Sequence, residues 1–274
     1  MKRFLFLASV LASVLAFGLA FGLVSVAASA AVSPTATSKG KLTATQIVGK
    51  NVAARGGLKA WRAVNTLTLA GRMEAGGTKN SELPFVMKMK RSHKSRLEIR
   101  FQEQTSVQAY DGAQGWKVRP FLGREDIEPF TSDEAKAAAA WQELDGPLVD
   151  YVNKGTKVEL QGTESVEDHR AYKLKLTLKN GEQRHVWIDA ASFLELKTDG
   201  EPRKLDGKFH NVAIYSRDYK TEHGLTLAHV LDTVVEGDKQ HHKMFIDQVK
   251  VNQPIEDILF SKAQLSLANT SFPK

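Results

Sequence analysis

Cysteine is absent from all 274 residues. That excludes disulfide staples, a cysteine nucleophile, and the acylated cysteine that would anchor a bacterial-type lipoprotein. Short catalytic signatures are missing too: the chain has no G-x-S-x-G elbow, no G-x-G-x-x-G loop, no P-loop and no H-E-x-x-H pair. With them go the plain routes to acyl transfer, dinucleotide binding and nucleoside-triphosphate chemistry. Strong charge is lacking as well. Lys and Arg number 38 against 31 Asp and Glu, a net +7. So mild an excess suits an anionic lipid surface or an acidic partner. With no recognition motif present, it gives nucleic acid no foothold.

Long hydrophobic runs are scarce, and the one that exists stands at the start. Met1-Lys2-Arg3 leads into an apolar stretch from Phe4 to Val26, followed by Ala28-Ser29-Ala30. This is the layout of a secretory signal with an A-x-A site, and it predicts cleavage between Ala30 and Ala31. An uncleaved anchor is the other reading of the same run; Gly18, Gly22 and the Ala/Ser-rich end favour cleavage. Loss of Lys2 and Arg3 leaves a mature charge of +5. Residues 31–41 read as a flexible leader and 42–274 as one domain, large enough to bury a core without staples.

What is present in that domain is alternation. A capping box at Thr43 and Gln46, with Ile47, Val48 and Val52 behind it, predicts a first helix, broken at Gly56-Gly57 and resumed through Leu58, Trp61 and Val64. From Asn65 the period becomes two. Leu67, Leu69 and Met73, then Leu83, Phe85, Met87 and Met89, then Leu97, Ile99 and Phe101 alternate with polar or charged residues. Gly76-Gly77 and residues 92–95 read as turns, and residues 107–110 and 116–118 continue the meander across Asp111-Gly112. A second capping box, Thr131 with Glu134, predicts a helix over 135–144, and a further short helix is expected at 148–152. Seven more strands follow, with Asn180-Gly181 as the clearest hairpin turn. The fold class is mainly β with α: an antiparallel curved sheet or open, unclosed barrel of eleven or twelve strands, its concave face covered by helices.

One stretch is informative beyond its periodicity. Val107-Gln108-Ala109-Tyr110-Asp111-Gly112-Ala113-Gln114-Gly115-Trp116-Lys117-Val118 is a strand, an Asp-Gly turn and a strand carrying Trp. Upstream lie Val86 to Arg91 and Leu97 to Phe101; downstream, Val186-Trp187-Ile188-Asp189 runs into Phe193 to Lys197. This order resembles the LolA-like family of periplasmic lipoprotein and lipid carriers, the outer membrane lipoprotein-sorting proteins, over most of the mature chain. The resemblance implies an unclosed barrel with a helical lid over an apolar cavity for acyl chains, no cofactor and a periplasmic monomer. It also implies handover from an inner-membrane donor to an outer-membrane acceptor. In that family a basic residue at the end of an early strand helps latch the lid, and Arg91 matches it. Ser92 follows here, where the family usually has proline.

The expected cavity residues are Leu69, Met73, Phe85, Met87, Met89, Leu97, Ile99, Phe101 and Trp116; plain core is the other reading of the same residues. The basic run Lys88, Lys90, Arg91, His93, Lys94, Arg96 and Arg100 is expected to be a solvated outer face, or else a docking patch. His210, His223, His229, His241 and His242 lack ligand spacing and are expected to hold no metal. The functional reading is therefore a non-enzymatic lipid carrier. The alternatives are an envelope sensor or assembly factor of the same fold that binds a protein, and a secreted metal-dependent enzyme built on the late histidines.

Overall fold

The computed structural model describes residues 42–74, 82–132, 134, 135, 138, 144–205 and 207–265. The signal segment, the leader, the Gly76-Gly77 turn and most of the helix expected at 135–144 lie outside the described residues.

Two helices open the domain. α1 (Ala44–Ala54) starts at the expected capping box: Gln46 N–H donates to Thr43 Oγ1 and Thr43 N–H donates to Gln46 Oε1. It stops at Gly56 and Gly57, whose φ of 109° and 89° is open to glycine at little cost. α2 (Leu58–Arg62) follows and buries Trp61 completely.

Thirteen strands then form one antiparallel sheet. They are β1 (Thr66–Glu74), β2 (Glu82–Lys90), β3 (Lys94–Phe101), β4 (Gln104–Tyr110), β5 (Gly115–Arg119), β6 (Arg124–Pro129), β7 (Lys157–Val166), β8 (His169–Thr177), β9 (Gln183–Asp189), β10 (Glu195–Leu205), β11 (Lys208–Glu222), β12 (Leu225–Val235) and β13 (His241–Val251). The order is β6-β5-β4-β3-β2-β1-β13-β12-β11-β10-β9-β8-β7. The chain walks outward from β1 to one edge at β6. It crosses to the opposite edge at β7 and walks back until β13 pairs with β1. Of this crossing segment, residues 144–156 pass over the concave face, because Leu144, Leu148 and Val149 join the same core as α1 and the inward sheet residues.

Three expectations are corrected. Among the described residues the sheet has thirteen strands against an expected eleven or twelve, the additional one being β6. Its sequence REDIEP has no apolar alternation, since as an edge strand it is mostly exposed. Residues 144–155 form successive turns, so the short helix expected at 148–152 is not there. The outer face of β3 is solvated only at its end, where Arg100 is exposed; Arg96 and Glu98 are 2% and 1% exposed. The chain after β13 covers them, with Arg96 donating to the carbonyls of Leu259 and Gln264, and Lys90 and Lys94 pairing with Asp257.

Candidate functional site: the covered concave face

Register decides which side chains meet. β1 pairs with β2 so that Leu67 faces Met89, Leu69 faces Met87 and Met73 faces Leu83. β2 pairs with β3 so that Met87 faces Leu97 and Phe85 faces Ile99. Directly opposed residues share a face. Eight of the expected cavity residues, Leu69, Met73, Phe85, Met87, Met89, Leu97, Ile99 and Phe101, therefore line one continuous inward surface, and all belong to or pack against the main core. Trp116 does not. Its partner is Ala109, which faces Arg96, so it stands on the outer face and packs with Val107, Ala109 and Leu265. The Asp-Gly turn reverses the chain without conveying which side the aromatic faces.

The cover is apolar where it meets the sheet. Ile47, Val48 and Val52 of α1, Trp61 of α2, and Leu144, Leu148 and Val149 of the crossing segment are all buried there. Each such side chain contributes about 1.5–3 kcal/mol relative to exposure. A groove of about 370 Å³ at one end, lined by Asn65, Thr66, Lys90 and residues 252–256, lies outside this inward surface.

The cover is held at its rim by ionic contacts. Arg91 closes β2, and its guanidinium donates from Nε to the Val64 carbonyl and from Nη2 to the Trp61 carbonyl, each at 2.6 Å. The same Nη2 lies 2.9 Å from Asp145 Oδ2 in the crossing segment. Asp145, with its side chain 4% exposed, also takes Lys154 Nζ at 2.6 Å. Arg55 donates to the Asp145 carbonyl and stacks over the Trp61 ring. Arg62 grips Asp150 with two hydrogen bonds, which hold that carboxyl below its ordinary range. One residue of the β2–β3 turn thus fastens both α2 and the crossing segment. Ser92 and His93 make that turn with φ of 69° and 60°. Proline cannot adopt a positive φ, so this turn has no room for the family's usual proline.

The late histidines are dispersed. His241 points outward to Asp232, whereas His229 and His242 are buried. His229 Nδ1 stands 2.8 Å from the Ile246 carbonyl and so carries the proton. Among the described residues no group of three or more His, Asp or Glu has metal-binding geometry.

A long antiparallel sheet left open and curled over its own helical cover defines the class of unclosed barrels with a lid. More narrowly, the chain has the LolA-like fold. A LolA superfamily protein from Nitrosomonas europaea matches it with a TM-score of 0.53 at 15% identity, covering 81% of this chain and 99% of its own. A domain named for outer membrane lipoprotein sorting, from Vibrio parahaemolyticus, matches at 0.54 and 13%, over 81% and 98%. A DUF1329 family protein from Desulfovibrio piger matches at 0.55 and 13%, over 81% and 99%. No family model and no curated protein matches the sequence. Among the described residues no helix is long and apolar enough to cross a membrane.

Proposed function

We propose that this protein is an exported, non-enzymatic carrier that shelters the acyl chains of lipoproteins or other lipids beneath its lid while they cross the periplasm. The observation that carries this reading is the pairing of a continuous apolar surface across β1, β2 and β3 with a cover fastened at its rim by Arg91. Such a cover is exchangeable. An acyl chain laid against Met87, Leu97 and Ile99 replaces the contacts that Ile47, Val48 and Leu148 make in the closed state. Each buried methylene contributes about 0.8 kcal/mol, so the exchange can run nearly level and be tipped by a donor or an acceptor. Arg91 sets the threshold: its carbonyl contacts must break before the lid lifts, and charge-assisted hydrogen bonds contribute about 1.5–3 kcal/mol. Export follows from the signal at residues 1–30, and the mature chain should begin at or near Ala31.

The test is native mass spectrometry of the mature protein from its own envelope, paired with uptake of an environment-sensitive apolar dye. Discrete lipid adducts, and dye displaced by long-chain lipids or lipopeptides, are expected. Met87→Lys or Ile99→Lys should weaken dye uptake in protein that still folds. A folded wild type that takes up no dye and carries no lipid would refute the proposal.

A further inference from the structure

The concave face is not apolar throughout. Across β12 and β13, Leu231 faces Met244 and Thr233 faces His242. Met244 also faces Met73 of β1, which is part of the core, so His242 points inward from the same strand. It is 8% exposed, and neither ring nitrogen has a hydrogen-bond partner. A neutral imidazole offers one donor and one acceptor, and leaving either buried and unmet costs about 1–3 kcal/mol. Native structures keep such a group where another molecule can satisfy it.

A cation shares that end of the face. Arg203 of β10 faces His210, two residues from Val212; Val212 faces Val235, two residues from Thr233. The register therefore turns Arg203 inward at the same end of the face as His242, three strands across the sheet on β10, where its charge acts on the imidazole; it is 8% exposed. Asp238 lies close by and accepts from Gln240 N–H at 2.9 Å. This polar corner sits at the start of β13, whereas Arg91 and the latch sit beyond its end, about 30 Å away at a strand's rise per residue. Between the two runs the apolar surface.

We propose that Arg203 and His242 form the head-group end of the binding trough and take the anionic oxygen group, carboxylate or phosphate, of an acyl lipid whose chain lies along Met244, Met73 and Leu83. A guanidinium presents paired N–H groups that match either oxyanion, and His242 adds a third donor from inside a water-poor wall. The inference rests on the carrier reading and narrows its cargo to lipids with an acidic head.

The mature wild-type protein is titrated calorimetrically with oleate, oleoyl lysophosphatidate and oleyl alcohol, which share a chain and differ in the head. At least one anion should bind about tenfold tighter than the alcohol, and the tighter anion tells carboxylate from phosphate. Arg203→Met and His242→Leu should each erase most of that preference, the anion losing far more affinity than the alcohol. Equal affinity for all three ligands in the wild type overturns the head-group site and leaves the carrier standing. No binding of any of them overturns both. A preference that survives both substitutions puts the anion elsewhere and also overturns the site. Should the variants fail to fold, the wild type still answers through the ring-nitrogen NMR signals of His242, which must shift when the tighter anion binds; unmoved signals overturn the proposal.

Discussion

Arg96 and Glu98 face the same way on β3 and form an ion pair 2.5 Å long beneath the chain that follows β13. With both side chains almost wholly buried, neither charge can fall back on water. Arg96→Met leaves Glu98 buried without this partner, with Lys88 the neighbouring cation, and should cost up to about 3–5 kcal/mol. The double variant Arg96→Met, Glu98→Leu should recover most of that loss. Urea midpoints of the four proteins in the cycle supply the check, and additive losses would show that the pair is not coupled.

Arg91→Ala removes two carbonyl contacts and one ion pair, while Asp145 keeps Lys154. A loss of about 1–3 kcal/mol is expected. Hydrogen exchange should rise in α2 and in residues 144–155 before it rises in β1 to β3. Uniform acceleration across the sheet would mean that Arg91 supports the whole fold and does not act as a local fastening.

Gly56 and Gly57 look alike in sequence but should respond differently. A Cβ on Gly56 would lie 2.2 Å from the Gly224 carbonyl oxygen, while one on Gly57 meets nothing within 4 Å. Gly57→Ala should therefore cost only its backbone strain, about 1–3 kcal/mol, since φ 89° with ψ 156° is a region essentially confined to glycine. Gly56→Ala should cost more, because α1 must move away from the β11–β12 turn. Equal thermal shifts for the two variants would contradict this.

Burial holds the His242 imidazole below the usual histidine range, and Arg203 adds to the effect. The unfolded chain then takes up the proton first, so stability falls as pH drops below about 6.5 and levels off below the folded value. His242→Gln should flatten that part of the profile. Denaturant midpoints from neutral to mildly acidic pH test it, and an unchanged slope in the variant would count against a buried neutral His242.

Much of this fold was open to a reader of the sequence, because a strand buried on one side has to alternate. Leu97, Ile99 and Phe101 announced their face, and Thr43 with Gln46 announced a helix start. Arg91 could be singled out by resemblance, though not its grip on Trp61 and Val64, since carbonyl acceptors leave no trace in side-chain identity. Trp116 was assigned to the wrong face because alternation within a short strand gives two faces without naming them; only pairing through Ala109 to Arg96 settles which is which. Arg96 reads as solvated because its cover comes from residues 259–264, far along the chain. His242 drew attention only as one histidine among several, and its unmet nitrogens emerge from burial alone.

The pairing of β1 with β13 also governs how the molecule is assembled. The first strand of the sheet can find its second neighbour only after the last one exists, and that junction closes a loop of nearly the whole domain. Contacts so remote in sequence make folding slow. Until residues 241–251 arrive, the half-sheet that ends in β1 exposes a raw edge beside Leu67, Leu69 and Met73. A chain that emerges from its amino end is thus sticky for most of its appearance, and a truncation that removes β13 should yield aggregates in place of a smaller working domain.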